Sequence, residues 1–168
     1  MKLSLSYLTL DHHTIERAIG IAAQTGYEAL GLRLAPAFPG GEAQSIRSGA
    51  GTLQGLRRAL ASSGCTVFDV EMVRLDTDFR IARVLDLLDD AAALNASRLL
   101  VVVDDPDLRR AADSYALLRA EASARGIDAA LEYMPQSALR TLSEALTLLD
   151  TAGGGRLIID AQIGRAHV

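Results

Sequence analysis

Short apolar runs alternate along this chain with helical patterns, one after another without a break, and this alternation narrows the choice of fold more than any other feature. Residues 2–9 (KLSLSYLT), 28–34 (EALGLRL), 65–75 (CTVFDVEMVRL), 98–105 (RLLVVVDD), 128–135 (DAALEYMP) and 156–160 (RLIID) read as strands. Between them, segments 14–25, 52–62, 79–94, a segment that ends near Gly126, and 137–152 carry apolar residues at helical spacing. In the first helix these are Ile15, Ala18, Ile19 and Ala22, with Gly26 placed as a C-terminal cap. Runs such as LLVVV are apolar on consecutive residues, the mark of a strand covered on both faces. A unit of about 25 to 30 residues matches a right-handed βαβ crossover, so the expected sheet is parallel.

Two architectures satisfy this pattern: an open doubly wound sheet and a (β/α)8 barrel. The open sheet usually binds a nucleotide through a glycine-rich first βα turn, and here that turn is TLDHHT, without glycine. The barrel is therefore favoured, as an α/β fold in the form of an incomplete (β/α)8 TIM barrel with six parallel strands and five helices. A full barrel needs eight units and typically about 250 residues, against 168 here.

Composition removes several function classes. A formal net charge of -4 argues against a partner with a phosphate backbone, so no nucleic acid is expected. No apolar run has the length to cross a bilayer and the N-terminus lacks a signal-peptide pattern, so no membrane partner and a cytoplasmic location are expected. The single cysteine, Cys65, excludes an intrachain disulfide and reads as a small buried apolar residue.

In either architecture ligands bind at the carboxyl ends of the strands, and those ends are acidic. They deliver Asp11, His12 and His13; Arg33; Glu71 and Arg74; Asp104 and Asp105; Glu132; and Asp160. Glu132 lies inside the apolar run ALEYM, where a carboxylate is costly unless paired or bound to a metal. With period two, Ala130, Glu132 and Met134 share one face, as do Ile158 and Asp160 on the next strand. Two carboxylates from adjacent strands could converge on one hard cation such as magnesium or manganese. Plainer accounts stand beside this one: Asp11, Asp104 and Asp105 can be helix caps, and inward acids can form structural ion pairs. His12 and His13 can be exposed loop residues. Arg33 and Arg74 can grip an anionic substrate group or neutralise neighbouring acids. The Pro/Gly-rich loop over 35–51 can be a binding lid or flexible padding.

The ordered phrases KLSLSYLTL, AIGIAAQTGYEALGLRL, VFDVEMVRL, ALEYMP and LIIDA resemble the xylose isomerase-like TIM barrels, a group of sugar isomerases and epimerases. The resemblance covers nearly the whole chain up to Ala161, and it implies a divalent metal held by a Glu on strand five and an Asp on strand six, with a His and a Glu on strands seven and eight. Glu132 and Asp160 match the first two. The resemblance further implies proton transfer at the carbon beside a carbonyl, with Glu132 as an acid or base; Glu71, Arg33 and His12, delivered by the strand ends, are the expected substrate-binding residues. The cofactor would be manganese, magnesium, cobalt or zinc, and the substrate a small sugar or polyol. The endonuclease branch of the group is disfavoured, since it uses more histidines than the three present.

Family members often place a His three positions after the strand-six Asp, where this chain has Ile163. The match ends at Gln162, and IGRAHV is one reading frame of a common sequencing adapter. Residues 163–168 are accordingly expected to be a non-native tail, with 1–162 the N-terminal portion of a barrel and the chain an inactive fragment. Unpaired edges on strands one and six would favour homo-association. The competing functional class is a noncatalytic half-barrel serving as an assembly or small-molecule binding module.

Overall fold

The computed structural model describes residues 3–10, 13–38, 40–44, 46 and 53–160. Six parallel strands, β1 (Ser4–Leu5), β2 (Ala29–Arg33), β3 (Thr66–Leu75), β4 (Arg98–Val103), β5 (Asp128–Glu132) and β6 (Arg156–Ile158), stand in sequential order in one sheet. The helices α1 (Ile15–Gln24), α2 (Leu53–Ser63), α3 (Leu85–Ala93), α4 (Leu108–Ser123) and α5 (Leu142–Thr151) connect them. The sheet curls into part of a barrel, as the alternation of elements implied.

The two faces of the sheet differ in chemistry. Leu30, Leu32, Val67, Val70, Val73, Leu99, Val101, Val103, Ala129 and Leu131 join Ile19, Leu56, Leu88, Tyr115 and Leu148 in one core between strands and helices. The alternate residues form the inner face: Ser4; Ala29, Gly31 and Arg33; Asp69, Glu71 and Arg74; Arg98, Leu100 and Val102; Asp128, Ala130 and Glu132; Arg156 and Ile158. β3 departs from strict period two at two places, where register slips between Leu30 and Gly31 and between Val70 and Val73. These irregularities keep Asp69 opposite Gly31 and Glu71 opposite Arg33.

Several elements are shorter than the sequence pattern suggests, each for a local reason. The first strand stops at Leu5, because the Ser6 hydroxyl accepts from the Leu8 amide and starts a 3-10 turn over Tyr7–Thr9. The segment expected as a helix over 79–94 splits into a 3-10 turn, Ile81–Arg83, and α3. The fifth strand ends at Glu132, and Met134 turns back to bond Leu139. The last helix begins only at Leu142, where Thr141 and Glu144 form a reciprocal capping box. Asp160 follows β6 and lies beyond its end. His12, Asp11, residues 47–52 and the 161–168 tail lie outside the described residues.

Candidate active site

The carboxyl end of the inner face brings Arg33, Glu71, Arg74 and Glu132 to one mouth, with Asp160 just past β6. Glu71 is buried, and its Oε2 accepts from Arg33 Nη2 at 2.6 Å and from Nε at 3.2 Å. The Arg33 guanidinium also lies 4.4 Å over the Tyr7 ring, so one cation serves a carboxylate and an aromatic face. Arg74 donates from Nη1 to Asp104 at 2.5 Å and from Nε to the Ala37 carbonyl. Both arginines are thus paired with neighbouring acids.

Part of the long loop is strapped to this mouth. Gln44 donates its amide to the Arg33 carbonyl at 2.6 Å, accepts the Arg33 amide at 3.2 Å through Oε1, and donates from Nε2 to the His13 carbonyl at 3.0 Å. Ile46 is buried in the core and the Ala37 carbonyl accepts from Arg74, whereas Phe38 between these anchors is exposed.

The two strand-four acids are accounted for by ion pairs. Asp105 is 1% exposed and is held by Arg110 through two bonds of 2.6 Å, which keep its carboxyl below the usual carboxylate range. The cap of α4 is Asp107, bonded to the amides of Arg109 and Arg110. α1 is capped by Thr14.

Glu132 is different. It is 8% exposed and has no hydrogen bond or ion pair to a cationic side chain among the described residues. Burial, and then the neighbouring carboxylates Asp160, Glu71 and Asp69, push it up to about 7. Asp69 shares this field: burial and Glu71 push it up to about 6, with Arg98 opposing. Sequence reasoning passed over Asp69, although acids two apart within VFDVEMV signal one shared strand face. It also passed over Tyr7, Gln44 and Ser4, which no sequence motif marks.

Among the described residues no three His, Cys, Asp or Glu side chains come together as a metal-binding group. Glu132 and Asp160 nonetheless fit half of a hard-cation site: both offer oxygen donors, and their mutual repulsion, visible in the raised Glu132, is what a cation relieves. No helix of the described residues is long and apolar enough to cross a membrane.

No family model and no curated protein matches this sequence. Solved structures do match it. A xylose isomerase domain containing protein from Salmonella typhimurium LT2 superposes with a TM-score of 0.75 at 15% identity, over 94% of this chain and 59% of that one. The IolI protein with a bound zinc atom gives 0.76 at 15% identity, over 94% and 61%. D-psicose 3-epimerase in the presence of D-fructose gives 0.73 at 13% identity, over 94% and 62%. This chain therefore has the fold of the xylose isomerase-like TIM barrels, and it spans about three fifths of the length of these chains.

Proposed function

We propose that the chain carries the Glu132 half of a metal-assisted sugar isomerase or epimerase site, in which a proton moves at the carbon beside a carbonyl. The observation that supports this most is the position of Glu132: an inner-face carboxyl at a strand end, denied an arginine and set beside Asp160. A carboxyl held near 7 is matched to proton transfer at neutral pH, since it can both take and return a proton. Glu71 is bonded twice by Arg33, and its part is to fix Arg33 at the mouth, where the guanidinium can donate to substrate oxygens.

Glu132 and Asp160 would hold the divalent cation, which when bound would polarise the carbonyl oxygen and acidify the neighbouring C–H. Val102 and Ala130, both buried, flank Glu132 on the inner face. The neighbours with the same fold named as epimerases favour a small hydroxy-carbonyl sugar as substrate.

The test has two readouts. Manganese(II) titration followed by electron paramagnetic resonance should show binding that Glu132→Gln and Asp160→Asn each weaken about tenfold or more. Incubation with D-fructose in deuterium oxide should place deuterium beside the carbonyl, and Glu132→Gln should abolish it. Manganese binding indifferent to both substitutions, together with no exchange, would overturn the proposal.

A further inference from the structure

Two inner-face polar groups, Asp69 and Ser4, take no part in the chemistry given to Glu132, and the fold makes room for both. Opposite Asp69 stands Gly31, where a Cβ would come within 2.9 Å of Asp69 Oδ2 and 3.0 Å of Oδ1. Gly31 is absent from the residues with positive φ, so space and not backbone conformation is what requires a glycine there. Glycine weakens a strand interior and marks a place of close approach. On the other side of Asp69, its register partner Arg98 lays its guanidinium 4.5 Å over the Phe68 ring. The inner-face acids Glu71 and Asp128 are each bonded to an arginine, whereas Asp69 has no hydrogen bond or ion pair among the described residues.

Ser4 supplies an independent observation. Its Oγ is buried without a hydrogen-bond partner among the described residues, which is rare enough in a folded protein to call for an explanation. Ser4 belongs to the inner face, because its neighbour Leu5 enters the helix-side core and Ser4 itself pairs with Ala29. Ala29 and Gly31, the inner-face residues of β2 below Arg33, are both small, and the Asp69 carboxylate leans over Gly31 toward β1.

We infer that Asp69 and Ser4 form a polar floor to the pocket and set its specificity by hydrogen-bonding a substrate hydroxyl remote from the carbonyl. This rests on the reading of the mouth as a sugar site. A carboxyl acceptor beside a hydroxyl, which both donates and accepts, complements a neutral alcohol and repels an anion. The floor therefore takes the hydroxyl end of a free sugar or polyol and disfavours a phosphate or carboxylate there. Asp69 lies two residues before Glu71, roughly 7 Å deeper along the strand, a depth comparable to the carbon chain of a ketohexose. The raised pKa of Asp69 agrees with a carboxyl that waits for a neutral partner.

The probes are D-fructose and 6-deoxy-D-fructose, which lacks the remote hydroxyl. With carboxyl-labelled protein, D-fructose should move the carboxyl carbon resonances of both Glu132 and Asp69, and 6-deoxy-D-fructose that of Glu132 far more than that of Asp69. Wild type should prefer D-fructose roughly tenfold, and Asp69→Ala should reduce that preference to about unity, whereas the near-isosteric Asp69→Asn, whose amide still accepts and donates, should keep part of it. If D-fructose moves Glu132 alone, or if the preference survives in Asp69→Ala, the floor is refuted while the sugar site stands. If D-fructose moves neither resonance, the sugar site itself is refuted and the floor with it. The wild-type spectra decide the matter even where a variant fails to fold.

Discussion

Replacing Glu132 by glutamine should make the protein more stable at alkaline pH and leave it unchanged in acid. The carboxyl is pushed from 4.5 to about 7 by burial and by Asp160, Glu71 and Asp69, so the native state holds this proton more tightly than the unfolded chain does. Its contribution to stability is whole below about 4.5 and is lost as pH rises toward 7 and beyond. Each tenfold change in proton affinity is worth about 1.4 kcal/mol, so the full loss is about 3 kcal/mol. The group opens toward the barrel interior, where solvent screening leaves ~1–2 kcal/mol of it. Glutamine is neutral throughout and escapes the loss. Urea unfolding at pH 4 and pH 8.5 measures the difference, with Glu132→Gln matching wild type at the first and exceeding it by that amount at the second. Asp69, also raised, imposes a loss of the same sign on both proteins and does not produce the contrast. Manganese should recover stability at pH 8.5 in wild type and not in the variant. A difference independent of pH, or a variant less stable at pH 8.5, would refute the electrostatic account.

Tyr115 is fully buried, donates to the Ala129 carbonyl at 2.9 Å and accepts the Arg156 amide at 3.3 Å. Tyr115→Phe should therefore cost ~1–2 kcal/mol, measured by urea unfolding, and should speed hydrogen exchange at the start of β6. Thr141→Ala removes the capping box of α5 and should cost about 1 kcal/mol, with Thr141→Ser restoring most of it; equal stability of all three proteins would show the cap to be idle. Leu3, beside β1, is exposed, as is Ile159 just after β6, and among the described residues β1 and β6 are each paired on one side only. Sedimentation should show concentration-dependent self-association that Ile159→Lys reduces, whereas a wild-type protein that stays monomeric at high concentration would show these edges to be inert.

The order of strands and helices was legible because each strand buries one face under helices, and that requirement writes apolar residues into the sequence at fixed periods. Boundaries were less legible because side chains set them locally. The Ser6 cap ends β1 and the Thr141–Glu144 box delays α5, and neither changes the hydrophobic pattern around it. Glu132 could be picked out as a charge inside an apolar run, and its inner-face place agrees with that reading. Asp69 could have been found by the same rule, but the register slips of β3 blur its alternation with Val67 and Val70, both of which face the helices. The partnerships of Arg33, Arg74 and Arg110 were out of reach, because a sequence lists charges without saying which of them meet.

Those partnerships divide the acids into those bonded to an arginine and those that are not. Asp105 sits deep in the protein and is matched by two bonds from one guanidinium; Glu71 and Asp128 have their own arginines. Such pairing occupies the carboxylate oxygens with charge-assisted bonds. Glu132 and Asp69 face the same interior without such bonds, and the chain contains arginine enough to have paired them. Arg98 comes near Asp69, yet stacks on Phe68. A fold that leaves two inward carboxyls without an arginine bond gives up stability at neutral pH, since burial holds both above the usual carboxylate range. The lack of such a bond among the described residues is what sets these two positions apart from the acids around them.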